Sequence, residues 1–220
     1  MIQHSTIQFL KALKKHNNRE WFLENKPKYE LAKADYLLFV EKVLNGIQAF
    51  DTSLSHIEPK KCVFRINRDV RFSKNKDPYK TNLGASFSKG GKKIDSAGYY
   101  FHLEPGASFI GGGLWMPMAP ELKKVRQELD YCYKEFKAIL NNKKFKAHFE
   151  GLDSSEKLVR APKDYEIDNP AIECLKLKSF VVMMPISDAE LLDKQLIKKT
   201  ISAFESMAPF IHFLNRALDN

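Results

Sequence analysis

Residues 97–112 read AGYYFHLEPGASFIGG, two alternating runs on either side of Pro105-Gly106. That pair suits the centre of a type II turn: proline presets φ at the first position and glycine takes the positive φ needed at the second. The spacing predicts an antiparallel hairpin in which Glu104 faces Ala107. Side chains alternate across a strand, so Tyr99, Phe101, Leu103 and Ile110 share one face, and Tyr100, His102, Glu104 and Phe109 the other. The first set is a core face. The second is more polar and suits the lining of a cleft. Gly111, Gly112 and Gly113 are expected to end the hairpin, or to let a ligand or a helix approach the backbone.

Working outward, CVFRIN at 62–67 alternates Cys62, Phe64 and Ile66 with Val63, Arg65 and Asn67 and reads as a half-buried strand. A second strand is expected at 83–88, a turn at KGGKK (89–93), and a further strand at SFVVMM (179–184). Helical patterns flank these strands. Ser5 with Gln8 forms a capping-box pattern for a first helix ending near Lys15. REWFLEN restarts a short helical turn, and Pro27 opens a long helix whose stripe is Tyr29, Ala32, Tyr36, Val40, Val43, Ile47 and Phe50. Leu122, Val125, Leu129, Cys132, Phe136 and Leu140 mark another helix, followed by a short one at 142–150. Asp168, Asn169 and Pro170 cap a further turn, and Ser187 with Glu190 opens helical sequence running to about Leu218, with a kink expected at Pro209. Helices, then strands, then helices indicate an α+β fold with a mainly antiparallel sheet, expected as a single domain over 1–220.

A hydrophobic content of 44% with 29% charged residues matches a globular protein with a sizeable core. No apolar run is long enough to span a bilayer, and the N-terminus lacks an apolar leader pattern. Cys62, Cys132 and Cys174 are odd in number and far apart, which fits reduced thiols in a cytoplasmic protein better than disulfides or zinc. The net charge of +9 is concentrated. Residues 58–93 hold eleven Lys and Arg against three acids, while the rest of the chain holds 25 basic and 24 acidic residues. Such a segment makes a local field that attracts anions, or a solvated set of turns.

Within it, Arg65, Arg68, Arg71, Lys76, Tyr79 and Lys80 offer what a phosphate group requires: guanidinium forks, point charges and a hydroxyl. Asp69 sits between two arginines and suits holding one fork in place. Pro78 makes the exit of Tyr79 and Lys80 a defined turn. A salt-bridged structural turn uses the same residues equally well. No Walker-type loop is present. Aromatic residues near the basic ones, Phe72 and Tyr79 among them, keep single-stranded nucleic acid open as a partner, although no known nucleic-acid motif is spelled out. His102 and Glu104 lie two apart on one strand face and can meet one ligand as an acid–base pair. They lack the spacing of a metal site, and a packed histidine is the plainer reading.

Three stretches carry a family resemblance: NNREWFLENKPKYE (17–30), FRINRDVRFSKNKDPYKTNLG (64–84) and AGYYFHLEPGASFIGGGLWMP (97–117). Together they resemble the microbial proteins catalogued as domain of unknown function 2461. The motif positions fall on Asn18, Arg19, Trp21, Phe22, Lys26 and Tyr29. They continue on Arg65, Arg68, Asp69, Arg71, Phe72, Ser73, Lys76, Pro78, Tyr79 and Lys80, with Gly111–Gly113 and Pro117. His16 and Asn75 depart from the commoner spelling. The resemblance implies one domain and no particular activity.

The sequence therefore leads to an expectation of a cytoplasmic α+β protein with a basic cleft for an anionic, phosphate-like small molecule. If it is an enzyme, His102, Asp69 or Glu104 would move the proton. The alternatives are a non-catalytic nucleic-acid-binding module and a protein whose basic segment is only an interaction surface. No membrane partner is expected, and neither a cofactor nor an oligomeric state is indicated.

Overall fold

The computed structural model describes residues 1–91 and 96–219. Its centre is a four-stranded antiparallel sheet in the order β1 (Leu83–Phe87), β2 (Gly98–Leu103), β3 (Ser108–Leu114) and β4 (Phe180–Ile186). The Pro105-Gly106 turn closes as expected: the Ala107 N–H donates to the Glu104 carbonyl at 2.9 Å, and Gly106 has φ +80°. The register pairs Phe101 with Ile110 and His102 with Phe109. The two faces then separate as the alternation requires. Tyr99, Phe101, Leu103 and Ile110 are all buried in the core.

Two long helices cover that face. α1 (His4–Lys15), α2 (Arg19–Glu24) and α3 (Lys26–Gln48) form the N-terminal layer, and α3 lays Tyr36 and Phe39 on Phe101. The C-terminal helix, Leu196–Asp219, packs Phe204 against Phe87 and Tyr99. Its Met207 sulfur presses on the sheet where Gly112 leaves room; a Cβ there would come within 2.5 Å of it. Pro209 lies inside this helix without ending it. Each large side chain buried in this way contributes about 2 kcal/mol of transfer free energy.

Several expectations are corrected. CVFRIN is not a strand. Pro59 starts a one-turn helix, α4 (Pro59–Cys62), that carries Cys62, and only Val63 and Asn67 make bridges, to Ala85 and Tyr79. The three glycines do not end the hairpin but lie inside β3. The helix patterned on Leu122–Leu140 is two, α5 (Ala119–Tyr131) and α6 (Tyr133–Leu140), broken at Cys132. α1 begins at His4 with no side-chain cap, so the Ser5–Gln8 box is not formed; the Gln3 N–H and the Thr6 hydroxyl bond instead to Asp35 on α3. Downstream, the short helix expected at 142–150 is one turn, α7 (Lys143–Lys146), and α8 (Ile172–Leu175) follows Pro170. The capping box of Ser187 and Glu190 is present, on a single turn, α9 (Asp188–Leu191); the helix over Leu196–Asp219 is α10. The KGGKK turn extends into Lys92 and Lys93, outside the described residues. No helix among the described residues is long and apolar enough to cross a membrane. Among the described residues, Cys62, Cys132 and Cys174 form no disulfide.

Candidate functional site

With α3 and α10 on one face, the other face of the sheet forms the floor of a cavity of about 550 Å³. Tyr100 and His102 of β2, Phe109 of β3 and Gly84 and Ser86 of β1 make the floor, and Val181 and Met183 continue it on β4. Phe64 and Lys80 wall one side. Trp115, 53% exposed, and Asp153 stand on the other. Edge backbone is covered at both sides: the Phe64 N–H donates to the Gly84 carbonyl, and the Asp153 N–H to that of Val181. The lining is mainly apolar and aromatic with a few polar groups, the usual make-up of a small-molecule site. Ser96 Oγ is buried in this wall and meets no hydrogen-bond partner among the described residues.

The polar floor is a chain of contacts centred on His102. Its ring stacks on Phe109 with centroids 4.8 Å apart and planes at 12°. Nδ1 lies 3.1 Å from the Tyr100 hydroxyl, and Nε2 lies 3.2 Å from Glu104 Oε2. Glu104 also accepts a hydrogen bond from the Thr81 hydroxyl and sits 3.5 Å from Lys14. Burial, the largest influence, pushes the His102 imidazole below the ordinary histidine value, and Lys80 adds to this; Glu104 pulls the other way without reversing it. Burial opposes the charge of Glu104, but hydrogen bonds from His102 and Thr81 and the nearby His102 and Lys14 charges hold its carboxyl below the usual range. Burial and then the Glu104 charge push the Tyr100 phenol up to about 12.

At neutral pH the set is therefore a phenol, a neutral imidazole and a carboxylate. A carboxylate only accepts, so Nε2 carries the ring proton and donates it to Glu104. Nδ1 is left to accept the Tyr100 O–H. The Asn82 amide nitrogen lies 3.0 Å from Nε2 and 3.3 Å from Nδ1, and in this tautomer it can donate only to Nδ1.

The basic segment is an irregular hairpin beside β1. Arg68 N–H donates to the Pro78 carbonyl and Lys80 N–H to that of Ile66. The Asn17 side chain clamps Tyr79 by both backbone groups, donating to its carbonyl at 2.9 Å and accepting from its N–H at 3.1 Å. Phe22 stacks on the buried Tyr79 ring with centroids 3.9 Å apart. This clamp sets where Lys80 leaves the backbone, and Lys80 reaches over the Phe64 ring into the cavity wall. Thus the three stretches that carry the resemblance meet here: Asn17 and Phe22 hold Tyr79, Tyr79 positions Lys80, and Lys80 faces the floor made by Tyr100, His102 and Phe109.

The other sequence candidates are placed differently. Arg71 forms a bidentate pair with Asp69, whose carboxyl is held below its ordinary value chiefly by those hydrogen bonds. Arg68 donates to the Asp77 carbonyl and to Ser73 Oγ, and Lys76 to the Val70 carbonyl. Arg65 is exposed and lies close enough to Asp69 to lower that carboxyl further. Arg68, Asp69, Arg71 and Lys76 therefore brace the hairpin and Arg65 stands exposed beside it, while Lys80, His102 and, through His102, Glu104 belong to the cavity. Sequence reasoning placed Tyr100 with His102, Glu104 and Phe109 on the face suited to a cleft but gave it no role in the site; its position two residues before His102 was the signal that they meet. Asp153 and Ser96 gave no signal.

A comparison with curated proteins and one with solved structures found no match. Residues 5–213 match the family described as conserved hypothetical protein (DUF2461), and the chain belongs to that family.

Proposed function

We propose that the protein binds a small anionic ligand with a flat, apolar body in the cavity on the open face of its sheet. The observation that carries this reading is a cationic side chain, Lys80, in the same cavity lining as the aromatic rings of Phe64, Tyr100, Phe109 and Trp115. Aromatic faces take the body of the ligand, Lys80 takes the anion, and the buried Ser96 hydroxyl gains a partner on binding. Tyr79 acts from beneath, by fixing Lys80. Arg65, Arg68, Arg71 and Lys76 supply the positive field along the approach, with Asp69 keeping Arg71 in place. His102 and Glu104 are the groups able to move a proton at the cavity floor.

Thermal unfolding with added phenyl phosphate, inorganic phosphate or benzyl alcohol tests this. Phenyl phosphate should stabilise most, and Lys80→Met should weaken its binding by about tenfold or more, as expected for a lost charged hydrogen bond. Equal shifts in the variant and the parent would remove Lys80 from the site, and no shift with phenyl phosphate would remove the cavity reading.

A second reading attaches to the hairpin. Phe72 is 96% exposed, with the Arg71 guanidinium 5.8 Å from its ring centroid. An aromatic ring beside cations is how single strands are stacked and held.

A further inference from the structure

We propose that Tyr100 is the reacting group of the cavity, a phenol whose proton is taken by His102, with Glu104 holding His102 in the tautomer that can take it. The inference rests on the cavity being a ligand site, and it makes the protein a group-transfer catalyst as well as a binder.

The geometry is that of an activated nucleophile. Such a site needs a nucleophile within hydrogen-bond reach of a base, and a third group that orients the base. Tyr100 Oη is 3.1 Å from Nδ1, and Glu104 Oε2 is 3.2 Å from Nε2 on the opposite side of the ring. Phe109 stacks flat on the imidazole and limits its tilt. Two further features favour a reactive role. Tyr100 lines the cavity, within reach of a bound molecule. Gly84, on the neighbouring strand, leaves the space that the phenol oxygen fills; a Cβ there would lie 2.5 Å from it. Lys80 and Asn82 line the same cavity as donors for charge that develops on the ligand.

The substrate class is an ester or anhydride whose electrophilic phosphorus or carbonyl carbon sits between Tyr100 and Lys80. In the first step the bond from Tyr100 Oη to that centre forms as the bond to the leaving oxygen breaks. The phenol proton passes to His102 Nδ1 and from there to the leaving oxygen. Water then attacks the same centre and gives its proton to His102 Nδ1 as the bond to Tyr100 Oη breaks, and Nδ1 returns that proton to Oη, restoring the phenol.

Benzenesulfonyl fluoride tests the chemistry without a known substrate. Tyr100 Oη bonds to sulfur, the S–F bond breaks, fluoride leaves and the phenol proton goes to His102, later exchanging with solvent. Site-resolved mass spectrometry compares Tyr100 with the exposed Tyr131, 77% accessible. At neutral pH Tyr100 should be modified about tenfold faster or more. Its rate should stay nearly flat above neutrality, because a neutral imidazole already serves as base. N-acetyltyrosine amide, run alongside as a free phenol, should instead gain about tenfold per pH unit as its phenolate forms. The groups facing His102 in this range are Glu104, Tyr100, Asn82 and Lys80, with Lys14 behind Glu104. His102→Gln should bring Tyr100 down to the rate of Tyr131 or below. A Tyr100 rate that matches Tyr131, climbs with pH as the free phenol does, or survives His102→Gln would overturn the proposal. The pH profile of the parent protein stands even if the variant folds poorly. A parallel run with 4-fluorosulfonylbenzoate separates the two readings: its advantage over the neutral reagent, lost in Lys80→Met, reports anion binding, whereas the neutral reagent reports Tyr100 alone.

Discussion

Gly84 and Tyr100 show how much one missing methyl group decides. The phenol oxygen occupies the place a Cβ would take, so Gly84→Ala forces either Tyr100 or the strand to move. The near atoms are the end of a ring held edge-on to Phe64 and tilted against Phe109, which cannot swing away cheaply. We expect a loss of about 1–3 kcal/mol in urea unfolding, the usual cost of overpacking. Tyr100 should also lose its fast modification as its oxygen leaves Nδ1. A variant that keeps both stability and rate would show that the contact is slack. His102 and Glu104 were legible in the sequence because residues two apart on a strand share a face, which is local information. The role of Tyr100 was not, because the space it uses belongs to a residue on another strand.

The basic hairpin is the element whose chemistry the composition left most open. Counting charges found the segment but could not show that Asp69, Ser73 and two backbone carbonyls would occupy Arg68, Arg71 and Lys76. Those bonds give a loop without regular secondary structure a defined shape, and they lower its capacity to grip several phosphates at once. The strand pattern of CVFRIN misled for a related reason. Val63 does bridge Ala85 at the edge of the sheet, but Asn67 bridges Tyr79 within the hairpin, and Pro59 had already committed Cys62 to a helical turn. The hairpin reading and the cavity reading separate at Phe72. Fluorescence anisotropy with labelled oligothymidylate, at about 50 and about 200 mM salt, measures whether that ring stacks a base. We expect Phe72→Ala to change the affinity by less than about twofold. A loss equivalent to about 1–3 kcal/mol, with affinity falling about a thousandfold between those salt levels, would select the nucleic-acid reading instead.

For the whole molecule, the division of the sheet into a sealed face and an open one sets both the cavity and the response to acid. The sealed face was readable from the stripe of α3 and the alternation of β2, since each pattern depends only on neighbours in sequence. The far wall of the cavity joins Trp115, Asp153 and Met183, segments that no local pattern connects. Burial and pairing also leave a set of groups displaced from their ordinary titration. His102 lies below its ordinary 6.5, chiefly through burial, and His148 likewise, through burial and then Lys199. As pH falls below that value the unfolded chain takes up protons that the folded one refuses, so stability drops towards the folded values. Glu104 and Asp51 are held below the ordinary carboxylate range although burial opposes their charge. Ser53, Tyr99 and His212 hold Asp51, as His102 and Thr81 hold Glu104. Hydrogen bonds from Lys199 and Ser187 hold Glu190 at about 2. The stability these carboxylates supply is complete above the unfolded values near 4 and is lost as pH falls through the folded ones. Urea midpoints measured from about pH 8 to about pH 3 should therefore fall in two stages, a shallow one beginning near 6.5 and a steeper one below about 4.5. His102→Gln should remove part of the first stage and His148→Gln the rest, with the second left in place. A midpoint that stays level from neutrality down to the carboxylate range would mean that neither imidazole is kept from its proton, and His102 would then lack the neutral form in which it can serve Tyr100 as a base.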